Sequence, residues 1–337
     1  MTVRILIVDD SEFFRGILKD VLGRHAGFEV VGEAGDGARA IDLVAQLKPD
    51  VVTMDVLLPL VGGLAAIKGI MARRPTAIVV LSRLVGRDER LGLDAMAAGA
   101  IDVLEKPLTG VDGGFERRLV ELIRGAARSH LASAAAPRPP ARPKPRGLTR
   151  VIGLVASTGG PQLLRRLLAA LPRSFPLPIV IVQHTIDGFA CQLASWLADG
   201  TALPVTVACA GDRLTPGRVV IAPDAVHVEV DAFLGVRLRG GPAEAGHRPS
   251  GSVLLRSLAR SFEAAAMAVV LTGMGHDGAD GLRELAKAGG TAVVQDPDDA
   301  VIDAMPRHAH AAATGATVVT AAELPALLIA AGRGGGA

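Results

Sequence analysis

Tyrosine is absent from this 337-residue chain, tryptophan occurs once, and aromatic side chains together make up 3% of it. Proteins that grip single strands of nucleic acid stack bases on aromatic rings, and duplex readers present a basic helix or stripe. Neither is visible here. The formal charge is only +2, and six of the 36 basic residues (Arg128, Arg138, Arg142, Lys144, Arg146 and Arg150) crowd into 126–150 without an acid among them. The remainder carries 30 basic against 34 acidic groups, so no nucleic-acid partner is expected. Cysteine is equally scarce: Cys191 and Cys209 stand alone, with neither metal-site spacing nor the density of a disulfide framework. No apolar run approaches the roughly 20 residues that span a bilayer, and the N-terminus enters a strand-like run too soon to leave room for a signal peptide. These absences predict a reduced, soluble, cytoplasmic protein without membrane insertion.

Half of the residues are hydrophobic, and single cores stop growing at roughly 250 to 300 residues, so two domains are expected. The break falls at 126–149, where Ala134-Ala135-Ala136-Pro137-Arg138-Pro139-Pro140 and its flanks lack core-forming residues. Before it, within 1–125, apolar runs at 3–8, 28–33, 51–54, 77–82 and 101–104 alternate with amphipathic stretches, which predicts a flavodoxin-like, five-stranded parallel sheet. After it, over 150–330, the alternation resumes at 150–155, 178–183, 204–208, 218–222, 267–272, 291–294 and 316–319. Residues 227–239 read as an antiparallel hairpin. The second domain is expected to be doubly wound α/β, with a mostly parallel sheet and that small hairpin.

In open parallel sheets, side chains at the carboxyl ends of strands converge on one edge, where ligands bind. Asp9, Asp10 and Asp55 fall at such ends. Converging carboxylates call for a hard cation such as Mg²⁺, and Asp55 can then attack phosphorus as a nucleophile. Ser82 is placed to hydrogen-bond the phosphoryl oxygen and Lys106 to pair with it. A plainer reading has the acids capping the helix that follows Ser11. Val8-Asp9-Asp10-Ser11, Met54-Asp55 through Pro59, Gly62-Gly63-Leu64, Leu81-Ser82 and Lys106-Pro107 resemble the receiver domain of bacterial response regulators. That resemblance implies phosphorylation of Asp55 by a histidine kinase, with Asp9 and Asp10 on the metal. Val103 stands where many receivers carry an aromatic ring that rotates on activation.

A second constellation lies in the other half. Ser157, His184 and Asp277 each follow a strand-like run, and a serine becomes a nucleophile when a base takes its proton and a third group orients that base. Gly159 and Gly160 permit a sharp turn into a helix from Pro161, whose free N-terminal amides favour developing negative charge, while Gly273-Met274-Gly275 allows a backbone amide to approach the same oxygen. Other readings stay open at this level: a phosphate-binding turn at Ser157-Thr158-Gly159-Gly160, though without a full Gly-x-Gly-x-x-Gly or a Walker lysine; Asp277 as a helix N-cap; His184 as a polar turn residue. His276 is a rival base. His227, His247, His308 and His310 read as surface or locally bonded residues.

Val151-Ile152-Gly153 through Pro161, Val182-Gln183-His184, Ile221-Ala222-Pro223-Asp224 with His227, His247-Arg248-Pro249-Ser250, Thr272 through Gly278, Gln295-Asp296 and Met305-Pro306 resemble the catalytic domain of the chemotaxis protein-glutamate methylesterases. The resemblance implies Ser157 as nucleophile, His184 as base and Asp277 as orienting acid, with Thr158, Gly159 and Met274 forming the pocket and oxyanion site. It also implies hydrolysis of glutamate methyl esters, and deamidation of certain glutamines, on methylated chemoreceptors, with no cofactor at the esterase site. A receiver lying over the Ser157 edge until Asp55 is phosphorylated is the regulation expected. Val155, Thr185 and Ser252 depart from the usual glycine, methionine and aspartate. The competing class is a response regulator whose output domain only binds a nucleotide or a partner.

Overall fold

The computed structural model describes residues 2–83, 89–107, 111–132, 148–185 and 188–333, divided between two compact units. The first unit alternates strand and helix: β1 Val3–Val8, α1 Glu12–Gly23, β2 Phe28–Ala34, α2 Gly37–Leu47, β3 Val51–Met54, α3 Gly63–Arg73, β4 Ala77–Ser82, α4 Glu89–Ala97, β5 Asp102–Glu105 and α5 Gly113–Ala132. The strands form one parallel sheet in the order β2-β1-β3-β4-β5. β3 and β4 are buried along their whole length, which is why they read as continuous apolar runs: a sheet with helices on both faces offers no solvent side for alternation. Helix starts are set locally. The Ser11 hydroxyl accepts from Phe14 N at α1, and Asp36 accepts from Arg39 N at α2. The order reverses between β1 and β3, so the crevice at their carboxyl ends receives Asp9, Asp10 and Asp55.

α5 continues to Ala132, into the segment expected to be linker, and Ala126 and Ala127 are buried along it. The alanine-proline-arginine stretch 134–140 lies outside the described residues.

The second unit comprises β6 Val151–Ala156, α6 Gly160–Ala169, β7 Ile179–Gln183, α7 Ala190–Ala198, β8 Val205–Val207, β9 Val219–Ile221, β10 His227–Val230, β11 Val236–Arg239, α8 Gly251–Phe262, β12 Ala266–Val270, α9 Ala279–Lys287, β13 Thr291–Gln295, α10 Ala304–Ala312, β14 Thr317–Val319 and α11 Leu324–Arg333. Seven strands pair in the order β14-β13-β12-β6-β7-β9-β8, every pair parallel. The antiparallel hairpin β10-β11 stands apart as its own two-stranded sheet. It lies on α8: Ser257 Oγ accepts from Val230 N and Ser261 Oγ donates to Val230 O. Winding proceeds one way from β6 through β7 to β9 and the other way from β12 to β14. The carboxyl ends of β6, β7 and β12 therefore frame the switch-point crevice, and the segments that follow them carry Ser157, His184 and Met274 to Asp277.

Candidate active site and phosphoacceptor site

In the first unit, carboxylate oxygens of Asp9, Asp10 and Asp55 all lie within 4.8 Å of one another. Asp9 and Asp55 are buried and Asp10 is exposed. Backbone turns aim the two buried groups: Ser11 N donates to Asp9 Oδ1 at 3.0 Å and Leu57 N to Asp55 Oδ1 at 3.1 Å. Lys106 Nζ, itself buried, donates to Asp9 Oδ2 at 2.5 Å and to Asp55 Oδ2, and sits 4.8 Å from the centre of the Phe14 ring. One ammonium does not balance three carboxylates. Burial raises the Asp9 pKa, an effect that Lys106 and the Ser11 amide only partly offset. A crowded set of hard oxygen donors with surplus negative charge suits a small divalent cation such as Mg²⁺. Ser82, buried at the end of β4, joins the β5 end through its carbonyl, which accepts from Lys106 N at 3.0 Å. Val103 packs against the sheet core from β5.

In the second unit the chain turns sharply after β6. Ser157 N donates to Thr272 O, while Ser157 O accepts from Gly160 N at 2.8 Å and from Gln183 Nε2 at 2.8 Å. Gly159 has φ +76°, a conformation that side chains oppose. The Thr272 hydroxyl pins the turn from the neighbouring strand end, donating to Thr158 O at 2.9 Å and accepting from Ile302 N at 2.9 Å. Gln295 Oε1 in turn accepts from Thr272 N at 2.8 Å. The serine itself is 8% exposed. A β-carbon on Gly273 would lie 2.6 Å from Ser157 Cβ, so the absence of a side chain lets the segment before Met274 run directly against the serine. The helix amides expected to be free are fewer than the sequence suggested: Gly160 N is spent on Ser157 O, and Pro161 has none.

His184 and Asp277 are brought together, with Nε2 2.8 Å from Asp277 Oδ2. The carboxylate is 1% exposed and is surrounded by donors: Ser250 Oγ at 2.8 Å, Gly251 N at 2.6 Å, Ser252 N at 3.0 Å and Gly278 N at 2.8 Å. Two of these amides open α8, whose N-terminal dipole favours an anion. Burial pushes the Asp277 pKa up, but the hydrogen bond and charge of His184, the Ser252 amide and the Ser250 hydroxyl outweigh it. The group is held well below the usual carboxylate range. With Asp277 acting only as an acceptor, His184 donates through Nε2, so in the neutral ring Nδ1 holds the lone pair. Nδ1 is buried and has no hydrogen-bond partner among the described residues, and none joins Ser157 Oγ to His184 among them.

Asp277 is not an N-cap: Gly278 occupies that position ahead of α9. His276 is exposed, its ring edge-on to His308 at 6.0 Å and not at the serine. Two of the histidines read as surface or locally bonded residues instead meet distant segments. His247 stacks on His184 with coplanar rings 3.7 Å apart, and burial followed by the His184 charge lowers its pKa to about 4. His227 is 2% exposed and hydrogen-bonded at both ring nitrogens. Both stand in stretches that carry the family resemblance, but no local pattern shows their contacts, which are made with distant segments. His308 is exposed, with Nδ1 facing the carbonyls of Gly275 and Ala304, and His310 is exposed as well. Val155 does not bear on the serine turn: it lies within β6, opposite Val182 and Val270, without positive φ. Ser252 Oγ accepts from Gly278 N at 2.9 Å, beside Asp277.

An imidazole locked to a buried carboxylate at the strand ends that also carry a serine turn is hydrolase architecture, and the acid-lined end of the first sheet is that of a phosphoacceptor. The molecule is a receiver joined to a hydrolase of the parallel α/β class. Residues 152–328 match the family of CheB methylesterases and residues 5–112 the response regulator receiver domain, and the chain belongs to the CheB methylesterase family. Protein-glutamate methylesterase/protein-glutamine glutaminase 3 of Anaeromyxobacter dehalogenans is 44% identical over 92% of this chain and 93% of its own length. The corresponding protein 4 of Myxococcus xanthus is 40% identical over 99% and 98%. The crystal structure of the Thermotoga maritima CheB methylesterase catalytic domain covers 54% of this chain and 97% of its own, at 33% identity and a TM-score of 0.52. No helix among the described residues is long and apolar enough to cross a membrane.

Proposed function

We propose that this chain is a phosphorylation-regulated serine hydrolase that cleaves glutamate methyl esters, and deamidates particular glutamines, on the cytoplasmic helices of chemoreceptors. The observation that carries the reading is the fixed polarity of His184: Nε2–H is committed to Asp277, so the lone pair on buried Nδ1 is the one available to a hydroxyl. In this mechanism Nδ1 takes the proton of Ser157 Oγ as the oxygen attacks the ester carbonyl. The resulting imidazolium is stabilised by ionised Asp277. Backbone amides around Thr158, Gly159 and Met274 receive the developing oxyanion, which the close passage of Gly273 against Ser157 supports. His184 returns the proton to the departing methoxide, methanol leaves, and water hydrolyses the acyl-serine by the reverse sequence to give glutamate. Hydroxyl-to-imidazole contacts of this kind are commonly loose without substrate and tighten in the complex.

Asp55 is the phosphoacceptor, supplied by a histidine kinase. Asp9 and Asp10 with Asp55 would hold Mg²⁺, which when bound neutralises charge on the incoming phosphoryl group. Lys106 and Ser82 then bind the phosphoryl oxygens, and the esterase site itself works without a cofactor. The setting is cytoplasmic. The test is methanol release from a methyl-labelled receptor, with and without a small-molecule phosphodonor and Mg²⁺. Release should rise with the phosphodonor, lose that response in Asp55→Asn, and vanish in Ser157→Ala. Absence of release from the activated wild type would favour the binding-only output domain instead, and undiminished release from Ser157→Ala would overturn Ser157 as the nucleophile.

A further inference from the structure

We propose that His227 is a positioning residue for the esterase site, the far end of a hydrogen-bonded relay running His227 to Ser250 to Asp277 to His184. This rests on the reading of Asp277 as the orienting acid. His227 opens β10, and its imidazole is bonded on both sides: Nδ1 accepts from Ser250 N at 3.2 Å, and Nε2 faces Pro242 O at 3.0 Å. A backbone N–H can only donate and a carbonyl can only accept, so these two partners fix a single neutral tautomer with its proton on Nε2. Ser250 then spends its hydroxyl on Asp277 Oδ1 at 2.8 Å. Ser250 is also the N-cap of α8, the helix whose first two amides hold the same carboxylate.

The placement explains what the detached hairpin does. β10-β11 contributes no strand to the main sheet, yet it is fastened to α8 through Ser257 and Ser261 and to the start of that helix through His227. The hairpin thus sets the position of the α8 N-terminus, and with it the oxygen of Asp277 that holds His184. Among the described residues no hydrogen bond joins His227 to Ser157 or His184. Its effect passes through Ser250, and small displacements of such a cradle are costly to rate even when far from the reacting atoms.

Two substitutions separate the ring's roles in the full-length protein activated by a small-molecule phosphodonor. In His227→Asn the amide oxygen stands where Nδ1 stood and keeps the acceptor for Ser250 N. In His227→Gln the amide nitrogen reaches the Nε2 position and keeps only the donor to Pro242 O. For methyl-labelled receptor, His227→Gln should lower kcat about 10- to 100-fold with KM nearly unchanged, as expected for a misplaced catalytic group. His227→Asn should recover most of that loss. The low-field proton resonance of His184 Nε2–H should move in His227→Gln and stay near its native position in His227→Asn. Thermal unfolding of both variants separates this from global destabilisation, which would depress the two alike. Equal rates for His227→Gln and wild type overturn the proposal, and so do equal losses in the two variants. Asp277→Asn run alongside distinguishes the failures. If it too keeps full activity, the triad reading falls and the relay with it; if it is inactive while His227→Gln is active, only the role of His227 falls.

Discussion

Val155 and Gly251 share one space. A β-carbon added to Gly251 would lie 2.2 Å from Val155 Cγ1 and 2.7 Å from its Cγ2, so the valine of β6 fits only because the first residue of α8 has no side chain. Gly251 N is also the 2.6 Å donor to Asp277 Oδ2, which couples this packing to the site. Gly251→Val should overpack the contact, at a cost of about 1 to 3 kcal/mol, and should displace the donor, lowering methanol release by about tenfold or more. Val155→Gly should leave a cavity. The exchange Val155→Gly with Gly251→Val should recover much of both stability and rate in thermal unfolding and turnover assays. Strictly additive losses would mean that the two positions do not share the space.

Thr272→Val keeps the shape of a buried side chain and removes only its hydroxyl. Ile302 N then loses its acceptor and Thr158 O its donor, a change worth about 1 to 3 kcal/mol of unfolding free energy for a buried unsatisfied amide. Because the same hydroxyl holds the turn that presents Ser157, kcat should fall more than KM rises. Unchanged kcat in a destabilised variant would confine Thr272 to a structural part.

The strand-end placement of Ser157, His184 and Asp277 was legible because each follows an apolar run buried on both faces of a parallel sheet, and such runs announce their own ends. What surrounds them was not. Val155 invited suspicion of the serine turn, but its consequence lies at Gly251, a contact that no local pattern encodes. His227 and His247 carry no spacing signal, since their partners Ser250 and His184 arrive from other elements. The end of α5 is readable in the sequence: Leu119, Val120, Leu122, Ile123, Ala126 and Ala127 are all buried and continue one apolar helical face across the point where composition alone suggests a linker.

His247 makes stability depend on pH in a definite direction. Its ring faces His184 by stacking, with the charges of Asp277 and His276 also acting on it, and its pKa is lowered from 6.5 to about 4. The unfolded chain therefore takes up a proton at a higher pH than the fold does, and stability is lost as pH falls from about 6.5 toward 4. His247→Phe retains a flat ring against His184 and cannot titrate. Urea unfolding across this interval should show a shallower decline for the variant than for the wild type. Parallel profiles would remove His247 as the source.

Asp9 gives the opposite sign in the first unit. Its pKa is raised above its ordinary value of 3.8, chiefly by burial, so the fold holds the proton to a higher pH than the unfolded chain. The associated stability is present at low pH and lost as pH rises through the folded value, leaving ionised Asp9 a net cost at neutral pH. Asp9→Asn should therefore raise the melting temperature of the first unit in the metal-free protein. Mg²⁺ held by Asp9, Asp10 and Asp55 would relieve the same crowding in the wild type, so calorimetry should show a Mg²⁺-dependent rise for the wild type that shrinks sharply in Asp9→Asn. An equal Mg²⁺ increment in both would place the cation elsewhere, because a ligand that stabilises by binding the folded state must lose that effect with its coordinating carboxylate.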